Sequence, residues 1–187
     1  MVGSEESPPG AGYPYDQWLT DLKASGNDPC SVGRSIVNRF VDNYPAENDI
    51  TQSVIDLTKM DNLALKLDDF ANSLRLHVAD EKVAIANARD HAQLYKYTEY
   101  KDLWDYSDLI RASVTAPDIK ASAIALQTAL TGTGGAVMFS RHGSFLTTNS
   151  HGLSIYIDTP VNYRPSYSDL QLSRTGHWDE FLQEQRQ

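Results

Sequence analysis

His151-Gly-Leu-Ser-Ile-Tyr-Ile157, followed after Tyr163 and Tyr167 by Thr175-Gly-His-Trp-Asp-Glu-Phe-Leu182, is the most patterned part of this 187-residue chain. Leu153, Ile155 and Ile157 alternate with Ser154 and Tyr156 between Gly152 and Pro160, the two-residue period of a short strand with one buried face. Trp178, Phe181 and Leu182 recur at helical spacing, so a terminal helix lays one apolar face on whatever that strand joins. From periodicity alone both are core pieces, and nothing in them is reactive.

Residues 136–140 form a brief apolar run, read as a covered strand beside 153–157. Ahead of it, Pro117 suits a helix's first turn, where a missing amide proton costs nothing, and Ile119, Ala123, Leu126 and Leu130 make the stripe that Thr131-Gly-Thr-Gly-Gly135 ends. Residues 102–113 predict a helix with Leu103, Tyr106 and Ile110 inward. Leu63, Leu67, Phe70 and Leu74 predict one over about 61–78. Asp80 and Glu81 favour the start of another through Ala84, Ala88 and Leu94, because carboxylates suit the positive end of a helix dipole. These last two are expected to pair as an antiparallel hairpin. Residues 50–57 read as a strand that Gln52 and Ser53 weaken. Val32, Ile36, Phe40 and Tyr44 make a helix stripe ended by Pro45, and a short helix starts near Asp16 and stops at Gly26, Asn27, Asp28 and Pro29. Residues 1–14, with three prolines and three glycines, read as a loop.

The expected fold is therefore α/β and a single unit, with a loop over 1–14, a mainly helical stretch over 15–130 carrying a strand near 50–57, and two strands and a terminal helix over 136–187. Lys and Arg number 16 against 25 for Asp and Glu, a formal charge of −9. That argues against sequence-independent nucleic-acid binding, which needs basic groups to neutralise phosphates. No window approaches the length of a membrane span, and the acidic start at Met1 is not a signal peptide. The single cysteine, Cys30, excludes an intrachain disulfide.

The 151–157 stretch, the Tyr-rich loop ending Tyr167-Ser-Asp-Leu170 and the Trp178 helix together resemble the C-terminal end of the clostripain family of cysteine peptidases. Ser4-Glu-Glu-Ser-Pro-Pro-Gly-Ala-Gly-Tyr-Pro-Tyr-Asp16 resembles the segment after that family's nucleophile-bearing strand. Gln52-Ser-Val-Ile-Asp-Leu57 and Tyr100-Lys-Asp-Leu-Trp-Asp-Tyr106 match between them, in collinear order. The resemblance implies the C-terminal part of a caspase-like fold, with the catalytic His and Cys upstream of residue 1 and no catalytic residue within the chain. It implies that Ser4, Glu5 and Glu6 border the pocket where an acidic side chain selects Arg or Lys, although Ala11 stands where an acid would also serve. The partners implied are the N-terminal portion of the peptidase and a peptide or protein substrate with basic residues, with no nucleic acid and no membrane. No cofactor is evident, calcium is possible by resemblance without assignable ligands, and the parent protein is expected to be exported. The alternative is a non-catalytic scaffold or protein-binding module derived from such a peptidase.

Other chemistry finds less support. Cys30 opens a helix, where a thiol can be activated, but has no strand ahead of it. Arg141-His-Gly-Ser144 contains the His-Gly-Ser sequence, yet no cysteine follows His142. A small hydrolase pairing Cys30 with His142 requires the two to meet in space. His77 and His91 lack zinc spacing, and Asp61, Asp68, Asp69, Asp80 and Asp90 are scattered without a calcium loop. Ser31-Val-Gly-Arg-Ser35 and Thr131-Gly-Thr-Gly-Gly135 lack a phosphate-loop lysine, and no Gly-x-Ser-x-Gly elbow is present.

Overall fold

The computed structural model describes residues 1–25, 28–47 and 49–185. Gly26 and Asn27, half of the first expected helix stop, lie outside them. Strand β1 (Val2–Gly3) lies within the expected opening loop. Helices α1 (Tyr15–Ser25) and α2 (Pro29–Asn43) follow; Asp28 caps α2 by accepting from Ser31 N at 2.8 Å, and Pro29 occupies the first turn. The buried face of α2 is Gly33, Val37, Phe40 and Val41, not the expected Val32–Ile36–Phe40–Tyr44 series. A strict step of four drifts about 40° per repeat on a 3.6-residue helix, whereas steps of four, three and one stay on one side.

Strand β2 (Thr51–Ile55) is the middle of a three-stranded antiparallel sheet of order β1-β2-β4, where β4 is Val137–His142. Val2 faces Val54, and Ser140 faces Ser53. All five β2 residues are buried, including Gln52 and Ser53. Their polarity is satisfied in part by Gln52 Nε2 donating to Tyr13 and Ser53 Oγ donating to Gly152 O. The chain sends α2 across this sheet so closely that a Cβ on Gly33 would lie 2.9 Å from Val54 Cγ1. Phe40, Val41 and Ile50, with Tyr13 and Tyr44 against them, form a small core at this side.

Strand β4 does not join the 153–157 strand, as the sequence suggests, and its exposed Met138 and half-buried Val137 and Phe139 show it is not covered. Strand β5 (Ser154–Tyr156) instead pairs antiparallel with β3 (Tyr100–Asp102), of which sequence reading assigns only Asp102, as the start of the next helix. Nor does β5 have one buried face: Ile155 and Tyr156 are both buried, Tyr156 lying under Tyr167 at 4.7 Å and its carbonyl accepting from Trp178 Nε1 at 3.0 Å.

The main core is helical. It unites α3 (Met60–Leu76), α4 (Lys82–His91), α5 (Leu103–Ser113), α6 (Pro117–Thr131) and α8 (Trp178–Glu184), with Phe70, Tyr106, Ile119, Leu126, Trp178 and Phe181 fully buried. A short α7 (Gln171–Thr175) precedes α8. The expected α3–α4 hairpin is not the packing adopted: α3 lies on α6 and α8, and α4 on α5. Helix α4 ends at His91, and the exposed Leu94 bridges Lys101 instead. Glu81 does precede α4, but its carboxylate serves α6, accepting from Thr115 N, Thr115 Oγ1 and Ala116 N at 2.6–2.9 Å. Ala116 has no side chain to cap with, and this buried carboxylate holds the two residues that lead into the helix.

Candidate functional site

Where β1 ends, the chain turns into the segment that carries Ser4, Glu5 and Glu6. Thr51, the first residue of β2, holds it: the Thr51 hydroxyl accepts from Glu5 N at 2.9 Å and Glu6 N at 3.1 Å, and Ser4 Oγ lies 2.7 Å from the carbonyls of Thr51 and Glu6. Glu6 is buried, its two oxygens accepting from Ser7 N at 2.6 Å and Lys96 N at 2.7 Å. Glu5 Oε2 accepts from Gly152 N at 3.1 Å. Both glutamates thus turn inward. The outer part of the loop is exposed at Gly10 and Ala11, then bends at Gly12, whose φ is +75°.

Glu5 meets residues that sequence reading did not single out as a site. Asp102, fully buried at the β3–α5 junction, accepts from Asp105 N at 2.7 Å, His151 N at 2.6 Å, His151 Nδ1 at 3.1 Å and Tyr95 OH at 3.4 Å. Tyr95 OH also reaches Ser150 Oγ at 2.9 Å. The His151 ring stacks on Trp104 with centroids 4.2 Å apart. Burial pushes Glu5 well above the usual carboxylate range, and the Asp102 charge pushes it further. Burial draws His151 down, but its hydrogen bond to Asp102 and that residue's charge outweigh this, leaving it raised. The signal that could have flagged this group is the Asp102-Leu-Trp-Asp105 run, two acids and an aromatic ring at the head of a helix.

Beside the loop lies a cavity of about 740 Å³ lined by Glu6, Asp49, Tyr95, Lys96, Leu146 and Thr147. Phe145, Leu146 and Leu94 are exposed near it. Gln93 ties its two lips together, donating to Leu146 O at 2.8 Å and accepting from Asn149 N at 3.3 Å.

Cys30 and His142 are not brought together. Arg34 on α2 donates to Met138 O, and Arg141 donates to Asn38 O and Asp42 Oδ1, so α2 and β4 run side by side from Cys30's end towards His142's. His142 lies level with residues eight to twelve beyond Cys30, about 12 to 18 Å along the helix. Its Nδ1 meets Gly143 O at 2.7 Å. The other imidazoles are engaged elsewhere: His77 with Asp118, His91 with Asn87 O, His177 with Asp68. Among the described residues no group of three or more His, Cys, Asp or Glu side chains is arranged to hold a metal ion, and no helix is long and apolar enough to cross a membrane.

The sequence profile of the clostripain family matches residues 1–184. The chain belongs to the clostripain family. The fold agrees. An inactive protease zymogen from Parabacteroides distasonis is 21% identical, with a TM-score of 0.61 over 92% of this chain and 50% of its own. A clostripain from Bacteroides thetaiotaomicron, solved in complex with a peptide inhibitor, is 16% identical, with a TM-score of 0.57 over 97% of this chain and 75% of its own. A B. fragilis cysteine protease is also 16% identical, with a TM-score of 0.55 over 97% and 76% of the two chains. No curated protein sequence matches. The mixed α/β class and the mainly helical body expected from sequence are those of the clostripain fold. This chain spans half the length of the zymogen.

Proposed function

We propose that this chain is the C-terminal portion of a clostripain-like cysteine endopeptidase that cleaves after Arg or Lys, working with an N-terminal portion that supplies the His/Cys dyad. Its substrates are peptides or proteins with basic residues. Ser4, Glu5 and Glu6 belong to the wall beside the primary specificity pocket. Glu5 and Glu6 hold that wall in shape through the amides of Gly152, Ser7 and Lys96. The parent protein is exported, and the calcium dependence that the family resemblance implies has no ligands assigned to it in this chain.

The observation that carries this reading is the family match over 1–184 in a chain whose own thiol has no imidazole beside it. A cysteine peptidase needs such a neighbour to generate thiolate.

Fluorogenic peptides ending in Arg or Lys test the reading, offered to this chain alone and to the protein extended upstream through the His and Cys. Hydrolysis only by the extended protein, lost on replacing the upstream cysteine, is the expected result. Hydrolysis by the short chain overturns it. An inert extended protein favours the scaffold or binding module.

A further inference from the structure

Four segments distant in sequence bring polar groups to one buried place. The segment after β1 contributes Glu5, the turn before β3 contributes Tyr95, the β3–α5 junction contributes Asp102 and Asp105, and the turn before β5 contributes Ser150, His151 and the Gly152 amide. Asp102 takes four donors. Glu5 accepts from the Gly152 amide at Oε2 and faces the Tyr95 hydroxyl, while its Oε1 is closed off from solvent and has no hydrogen-bond partner among the described residues. Glu5 Oε2 and Asp102 Oδ2 accept from the successive amides of Gly152 and His151, which brings the two carboxyls side by side.

Two ionised carboxylates so placed repel strongly where water does not screen them. A single proton between them removes the repulsion and converts the orphan Oε1 into a donor, the arrangement found wherever two buried acids must share a site. The remaining negative charge faces His151, whose Nδ1 lies 3.1 Å from Asp102 Oδ1. The other titratable groups facing Glu5 and Asp102 are Tyr95 and Asp105; Asp105 Oδ2 is held by Gln93 N at 2.7 Å, and the nearest β2 group, Thr51, carries only a hydroxyl.

We propose that Glu5 and Asp102 hold one proton between them against a protonated His151, making the segment over residues 4–6 a proton-fastened clasp that loosens as pH rises. Asp102 and Glu5 act here as positioning residues. Glu5 keeps the segment against Gly152, and the clasp stands whether or not the chain serves a peptidase.

The direction of the pH response follows from both groups. Glu5 and His151 are each raised in the folded chain. The folded form therefore keeps protons that the opened form releases. Their contribution is complete below each group's unfolded value and is lost as pH rises through its folded value. For one linked proton, opening becomes about tenfold more frequent per pH unit between those two values.

Carboxyl-carbon NMR and amide exchange on this chain test the clasp without any assay of hydrolysis, so failure of the peptidase reading leaves the test intact. The Glu5 carboxyl is expected to titrate well above a glutamate in an unstructured peptide. The protection factors of Gly152 N and Glu6 N are expected to fall with rising pH, by about tenfold per unit in the Glu5 window. Glu5→Gln, which keeps a donor permanently, should flatten that limb and leave the His151 limb in place. A Glu5 carboxyl that titrates as in an unstructured peptide overturns the proposal, as does a Glu5→Gln chain with the wild-type slope. If the variant does not fold, the wild-type carboxyl titration decides alone.

Discussion

The Ser53 hydroxyl donates to the Gly152 carbonyl at 2.8 Å, and this bond ties the central strand of the three-stranded sheet to the turn that enters β5. Gly152 holds a φ of +102°, and a Cβ there would stand 2.8 Å from Val137 Cγ1 and 3.0 Å from Ser53 Cβ. The two ladders approach this closely because the residue between them has no side chain.

Gly152→Ala is accordingly expected to cost about 2 to 4 kcal/mol, from positive-φ strain together with overpacking against β2 and β4. Urea unfolding measures it. Gly10→Ala, where nothing lies within 4 Å, serves as the control and should stay within about 0.5 kcal/mol of wild type.

Tyr106 is fully buried, and its hydroxyl finds no hydrogen-bond partner among the described residues. Tyr106→Phe should therefore stabilise the protein by about 1 kcal/mol, because it removes a desolvated polar atom and leaves the ring contacts with Phe70 and Trp178 in place. A fall in the unfolding midpoint would show that the hydroxyl is satisfied in solution.

Glu81→Ala leaves the Thr115 and Ala116 amides, just ahead of α6, without their acceptor and is expected to cost about 2 to 3 kcal/mol. The loss should depend on acidity. Thr115 hydrogen bonds hold the Glu81 carboxyl below its ordinary value of 4.5, so its contribution is present above that value and disappears as pH falls through the folded one. Unfolding wild type and variant from neutral to acid pH should show the difference closing.

Cys30→Ala should leave kcat/KM of the upstream-extended protein unchanged. The thiol lies far along α2 from His142, and none of the described histidines hydrogen-bonds to it. Loss of hydrolysis with stability intact would make Cys30 the nucleophile and overturn the geometry argued above.

The helices were legible wherever an apolar stripe recurs over three turns: α3, α5 and α6 carry the residues named from sequence on their buried faces, and Trp178, Phe181 and Leu182 do so for α8. Family and fold class were legible too, because the matching stretches are spread along the whole chain. Strand partners were not. Residues 137–142 carry no mark that distinguishes β2 from β5 as a neighbour, and pairing is settled by where α2 and Gly152 press on the sheet. Strand β3, at three residues, is too short to show a period. The candidate site was half visible: Ser4, Glu5 and Glu6 stood out as a motif, but their inward orientation depends on Thr51, Gly152 and Lys96, each at least 45 residues away. Charge on a side chain reads as exposure until its distant partners are known.

The reach of Glu81 to Thr115 and Ala116, 34 and 35 residues on, bears on the order in which the protein assembles. Thr115 and Ala116 lead the chain into α6. That lead-in is fixed only when the chain has looped back through α4 and α5 to meet the Glu81 carboxylate, a long-range event. These three helices should consequently gain and lose exchange protection together, as one cooperative unit whose last piece to settle is the beginning of the third helix.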